Sequence, residues 1–249
     1  MTSVLVTRPA GQADGLCERI TALGHEPIHL PSIEIAEPED SAALDAFVKR
    51  MDHCDLVVLV SVNAVHMGLA KILQQRDWPQ HTQLAAVGPT STAAVAALGL
   101  HVDHVPEHEF SSEGLLALPA LQDMQGKQVA ILRGNGGRNA LSEALAARGA
   151  QVEYVEVYRR VCPRGLAEQL QQLLQDHALD VITATSNETL QNLYDMAGSA
   201  GQSLLRNIPL VVASRRQAAL AAQLGFTQGA VIAGHASDEA MVASVKQIV

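Results

Sequence analysis

The chain repeats itself. Arg8 and Arg133, Gly24 and Gly149, and Ser61 and Ser186 each stand 125 residues apart, and Gly99 and Gly225 stand 126 apart. The surrounding text follows the same offset. VLVTRP, a helix-like stretch and LGHE align with VAILRG, a similar stretch and RGAQ; DLVVLVSVNAV aligns with LDVITATSNET, and SSEGLL with ASDEAM. Two copies of one text predict two similar lobes, each with a hydrophobic core of its own.

Within each copy, short β-branched or apolar runs alternate with longer alanine-rich segments of helical spacing. This is the pattern of βα units on a parallel sheet. Strands are predicted at residues 4–7, 27–30, 56–60, 84–87 and 102–105, and again at 128–132, 152–157, 181–184, 210–213 and 230–233. The expected class is α/β: two lobes, each an open parallel five-stranded sheet flanked by helices, flavodoxin-like in content although the text alone leaves strand order open. With 48% hydrophobic and 17% charged residues, 249 residues suffice for two such cores. The first strand begins almost at the N-terminus, and no apolar stretch reaches membrane-spanning length, so a cytoplasmic protein without membrane contact is expected.

Charge and motifs remove several function classes. A formal net charge of −9 with no Lys/Arg cluster argues against nucleic acid. Cys17, Cys54 and Cys162 form no CxxC pair and read as buried small apolar residues. His101, His104 and His108 lie close together, but Pro106 interrupts them and no HExxH is present, so no metal is expected. The turn at Arg133-Gly134-Asn135-Gly136-Gly137 lacks GxGxxG spacing, and there is no GxxxxGK[ST] loop or GxSxG elbow. No cofactor is expected.

In open parallel sheets, ligands sit beyond the carboxyl ends of the strands. The residues found there are Arg8; Ser61 and Asn63; Thr90; Arg133, Gly134 and Arg138; Thr185, Ser186 and Asn187; and Ser214 and Arg215, with Ser112 opening a further helix. An arginine fork can grip a carboxylate or phosphate with two charge-assisted hydrogen bonds. Hydroxylated residues at helix starts serve as N-caps, and the unpaired N–H groups beside them favour an anion. Solvated charges and plain capping explain any one of these positions alone; their recurrence points to a small anionic ligand, held in a cleft between the lobes. Tyr158, in Val157-Tyr158-Arg159-Arg160, is an aromatic hydroxyl at a strand end in a chain only 3% aromatic. A phenol can donate a proton or hydrogen bond to a departing hydroxide; packing at a domain junction is the rival explanation. Tyr154 and Tyr194 fit ordinary packing better.

Taken together, VLVTRPAGQADGLCERITALGHEPIHLPSIEI, SVNAV, AAVGPTSTAAVAALG, ILRGNGGR and EVYRR resemble the uroporphyrinogen-III synthase family, nearly end to end. No single piece is specific; their order, spacing and duplication are. The resemblance implies that residues 1–35 with 162–249 build one lobe and 36–161 the other, joined by linkers near 31–37 and 156–162. It also implies a cofactor-free lyase that closes hydroxymethylbilane, a linear tetrapyrrole bearing eight carboxylates, into uroporphyrinogen III, with inversion of the last ring and loss of water. Tyr158 would then assist hydroxide departure while helix N-termini and arginines hold the carboxylates. A monomer is expected, with transient contact with the preceding pathway enzyme. Two rivals from the residues alone are a non-catalytic two-lobed binding or sensor protein for a polyanion, and an enzyme acting on a phosphorylated sugar or nucleotide.

Overall fold

The computed structural model describes residues 1–249. Ten strands are interleaved with helices, except that β3 follows β2 directly: β1 (Ser3–Val6), β2 (Glu26–His29), β3 (Glu34–Ala36), β4 (Leu56–Leu59), β5 (Gln83–Ala86), β6 (Gln128–Gly134), β7 (Gln151–Val161), β8 (Val181–Ala184), β9 (Leu210–Val212) and β10 (Ala230–Ile232). They form two five-stranded sheets, and the chain divides into two compact units, Met1–Glu34 with Val161–Val249, and Ile35–Arg160. No helix is long and apolar enough to cross a membrane.

In the unit built from both chain ends, the sheet order is β10-β9-β8-β1-β2, and every neighbouring pair is parallel. A parallel strand covered by helices on both faces is apolar along its length. Leu5, Ile182 and Val212 pack on one side with Leu170, Leu190 and Leu193; Val4, Val6, Val181 and Val211 pack on the other with Leu16, Ile20, Met241 and Val245. Burying each such side chain contributes about 1.5–3 kcal/mol before conformational entropy is counted.

The central unit has the order β3-β7-β6-β4-β5, with β7, β6, β4 and β5 parallel. Val57, Leu59, Ala130, Leu132 and Val155 face Phe47, Ile72 and Val95, while Leu56, Val58, Val129 and Ile131 face Leu115, Leu141 and Leu145.

Three expectations need correction. The strand predicted at 102–105 shrinks to a single bridge, Ala85 with His104. Pro106 follows at once, and with no backbone N–H it is unsuited to extending the ladder. The fifth place in that sheet goes to β3, from the stretch expected to be a linker, and β7 likewise runs through most of the expected linker at 156–162. The cysteines also divide: Cys54 is buried, Cys17 half-buried and Cys162 exposed.

Candidate functional site

At the carboxyl end of the central sheet is a cavity of about 260 Å³, lined among others by Ser61, Ser112, Arg133, Gly134, Arg138, Tyr154, Tyr158 and Arg160. A larger depression of about 340 Å³ lies at the opposite, amino end of the same sheet. Its guanidinium, Arg50, is already paired with Glu153. The carboxyl end carries the chemistry.

Tyr158 reaches the cavity through an irregularity of β7. Arg133 pairs with Glu156 but Gly134 with Tyr158, so one residue of β7 is passed over. Such an extra residue re-aims the side chains that follow it. Asn135 fixes the shift: its N–H donates to the Tyr158 carbonyl at 3.1 Å, and its side-chain oxygen accepts the Arg160 N–H at 2.8 Å. The ring then lies flush on the backbone of Gly134, where a Cβ would meet Tyr158 Cε2 at 2.5 Å. Gly134 therefore admits the ring.

The Tyr158 hydroxyl is 3.1 Å from Ser61 Oγ, and the residue is only 6% exposed. Ser61 also caps the helical run that begins at Val62, accepting the Ala64 N–H at 3.2 Å. That run includes a π-helical turn at Val65–Leu69, a form found often beside functional sites. Within the turn, Gly68 has no room for a Cβ, with Val157 and Leu132 about 3.0 Å away. The helix is thus pressed onto β6 and β7, and its cap stands beside the tyrosine.

Arg133 is 8% exposed. Its Nε donates to the Gly134 carbonyl at 3.2 Å, its Nη1 to Asn139 Oδ1 at 3.5 Å, and its guanidinium lies 4.4 Å from the Tyr154 ring centre. All these partners are neutral. A cation–π contact returns about 0.5–2 kcal/mol, less than the several kcal/mol that desolvating an unpaired ion costs, so an incoming anion is favoured here. Arg138, by contrast, is exposed and pairs with Glu113 at 2.9 Å. Tyr154, expected to be a packing residue, also donates its hydroxyl to Ser142 Oγ at 2.5 Å. Simple strand alternation does not predict its place: Tyr154 packs on one face of the sheet and Tyr158, beyond the irregularity, on the other, and both reach the cavity at the sheet's carboxyl end.

Six of the residues singled out from sequence are thus assembled in one cavity: Ser61, Ser112, Arg133, Gly134, Arg138 and Tyr158. Asn63 and Thr90 sit in the first turns of nearby helices of the same unit without lining it. In the other unit, Ser186 caps the helix Asn187–Met196, accepting the Thr189 N–H at 3.0 Å, with Thr185 just before it. Ser214 precedes the helix Arg215–Leu224 but does not cap it through its side chain; its hydroxyl turns to Gln217 Oε1 at 3.3 Å. Arg215 is exposed. Arg8, expected to await a ligand, is paired with Asp238 and also donates to the Ala236 carbonyl. No three His, Cys, Asp or Glu side chains are placed to hold a metal ion.

The family model described as uroporphyrinogen-III synthase HemD matches residues 14–243. The chain is 32% identical over 246 residues to uroporphyrinogen-III synthase of Escherichia coli, covering 98% of this chain and 100% of that protein. It is also 32% identical over 247 residues to the Salmonella typhimurium protein of the same name, covering 98% and 100%. A mutant uroporphyrinogen III synthase of Thermus thermophilus superposes with a TM-score of 0.63 at 18% identity, covering 99% of this chain and 97% of that one. The Helicobacter pylori uroporphyrinogen-III synthetase also scores 0.63, at 14% identity over 100% and 99%. These two show the same fold, and the sequence matches carry the classification: the chain belongs to the uroporphyrinogen-III synthase family, lyases of porphyrin biosynthesis.

Proposed function

We propose that this chain converts hydroxymethylbilane to uroporphyrinogen III, inverting the last pyrrole ring and losing one water, and that the cavity of the central unit takes part. The full-length match to proteins named for this activity carries the reading. The cavity supports it, because it joins a phenol to an unpaired buried guanidinium.

The substrate's carboxylates need cations or N–H donors, and Arg133 offers a desolvated fork, the strongest arrangement for that purpose. Tyr158 donates a hydrogen bond to the terminal hydroxyl as its C–O bond breaks, and Ser61 holds the phenol in place. The leaving oxygen takes up a proton and departs as water while the pyrrole N–H gives up one, leaving a neutral, electron-poor azafulvene. The substituted carbon of the last ring attacks it to give a spiro intermediate, which fragments and recloses the other way round. Holding the chain folded for that attack is an effect of orientation, and each tenfold bias over the symmetrical isomer requires about 1.4 kcal/mol. The strand order 2-1-3-4-5 of the unit built from both ends also supports reading it as flavodoxin-like.

Generating hydroxymethylbilane in the presence of the protein, oxidising the products and resolving uroporphyrins I and III by chromatography tests the reading. Predominant isomer III is expected; isomer I at the uncatalysed rate would overturn it in favour of a binding protein.

A further inference from the structure

The duplication supplies an internal control for the unpaired arginine. Arg8 and Arg133 are equivalent, each at the carboxyl end of the first strand of its copy. By their capping, Ser237 and Ser111 are equivalent too, one place off the text alignment of ASDEAM with SSEGLL and at the same 126-residue offset as Gly99 and Gly225: both cap the helix that follows, accepting the N–H of Ala240 and Gly114. The residue after each cap is therefore also equivalent, and here the copies differ: Asp238 in one, Ser112 in the other.

Asp238 puts its carboxylate on the Arg8 guanidinium and against Gly15, where a Cβ would meet its Oδ2 at 2.5 Å. Arg8 also donates to the carbonyl of Gln12, at 3.3 Å. In the central unit, Ser112 lines the same cavity as Arg133, and Gly137, the equivalent of Gln12, lies against the guanidinium, with Arg133 Nη2 only 2.6 Å from where its Cβ would be. The cradle is retained and its carboxylate is missing.

We propose that Arg133, Ser112 and the turn through Gly137 form a seat for one carboxylate of the ligand, in the place that Asp238 fills from within the chain in the other copy. One copy neutralises its own arginine; the other leaves it for an incoming group. This deepens the reading of the chain as acting on a carboxylate-rich tetrapyrrole and rests on that reading for the ligand's identity, but the seat can be tested without a porphyrin.

The test compares Ser112→Asp with Ser112→Asn, the same size without charge, by thermal melting of the whole protein. Tricarballylate, a plain tricarboxylate, is titrated at constant ionic strength. S112D is expected to melt several degrees above S112N, and the gap to vanish when each also carries Arg133→Gln. Tricarballylate is expected to raise the melting temperature of S112N and to need at least a tenfold higher concentration to do so in S112D. Equal melting of S112D and S112N, no rise in S112N, or an equal rise in both would overturn the seat. The isomer assay on wild type is independent: loss of isomer III with these melting results intact would remove the synthase reading and leave the seat standing.

Discussion

The phenol oxygen of Tyr158 lies 3.1 Å from Ser61 Oγ, and that same Oγ accepts the Ala64 N–H at the start of a helix. The hydroxyl is therefore tied to backbone geometry by one short link. Tyr158→Phe keeps the ring on Gly134 and removes only the donor. It is expected to slow turnover by about 10²-fold, the lower end for a lost proton donor, with KM little changed. Ser61→Ala should cost less, about tenfold, and Ser61→Thr should restore most of it. Steady-state kinetics on the three variants check this; wild-type kinetics in Tyr158→Phe would remove the phenol from the chemistry.

Gly134→Ala places a methyl group 2.5 Å from the Tyr158 ring. Overpacking of this kind costs about 1–3 kcal/mol. Urea unfolding should show that loss, with activity falling further than Tyr158→Phe alone explains, because the ring itself must move.

Asp238→Asn leaves Arg8 half-buried without its counter-ion. A loss of about 1–2 kcal/mol is expected, between the values for exposed and fully buried pairs. Chemical denaturation at low and high salt measures it, and the difference from wild type should shrink as salt rises.

Asp55 joins the starts of β4 and β6, accepting the Gln128 N–H at 2.8 Å and Lys127 Nζ at 2.9 Å. The backbone hydrogen bond is the main cause holding its carboxyl below the usual range, against a smaller opposing effect of burial. A depressed folded value means stability that is present above the unfolded pKa and lost as pH falls through the folded one. Asp55→Asn should therefore cost about 1 kcal/mol at neutral pH, allowing for solvent screening, and progressively less below about pH 4. A pH series of unfolding curves for both proteins would show the convergence.

Burial pushes the Cys54 thiol up to about 11, while Cys162 is exposed. Thiolates are the reactive form. Titration with a disulfide reagent in native buffer should label Cys162 first, Cys17 more slowly, and Cys54 only on unfolding.

The duplication made much of this fold legible. Once Arg8 and Arg133 or Ser61 and Ser186 are aligned, the order of elements follows, and the serine caps recur at the same places. What the text hid was pairing. Glu34–Ala36 carries no strong strand signal and owes its place to the free edge of β7, a tertiary effect that local propensity does not record. Arg8 and Arg133 read alike as free arginines, and only contact distinguished them. The text even misled by one place: aligning SSEGLL with ASDEAM sets Asp238 opposite Glu113, and only the shared cap position of Ser111 and Ser237 sets it opposite Ser112.

The order in which the strands are made bears on how the protein is born. Domains fold largely as units while the ribosome is still translating. Residues 35–160 emerge as one uninterrupted block and can close their core at once. β1 and β2 emerge earlier, but β1 must wait for β8, when Val4 finally meets Val181. The first segment made is thus among the last to be secured, and a nascent chain stalled midway holds a finished central unit with an exposed, half-built sheet at its start.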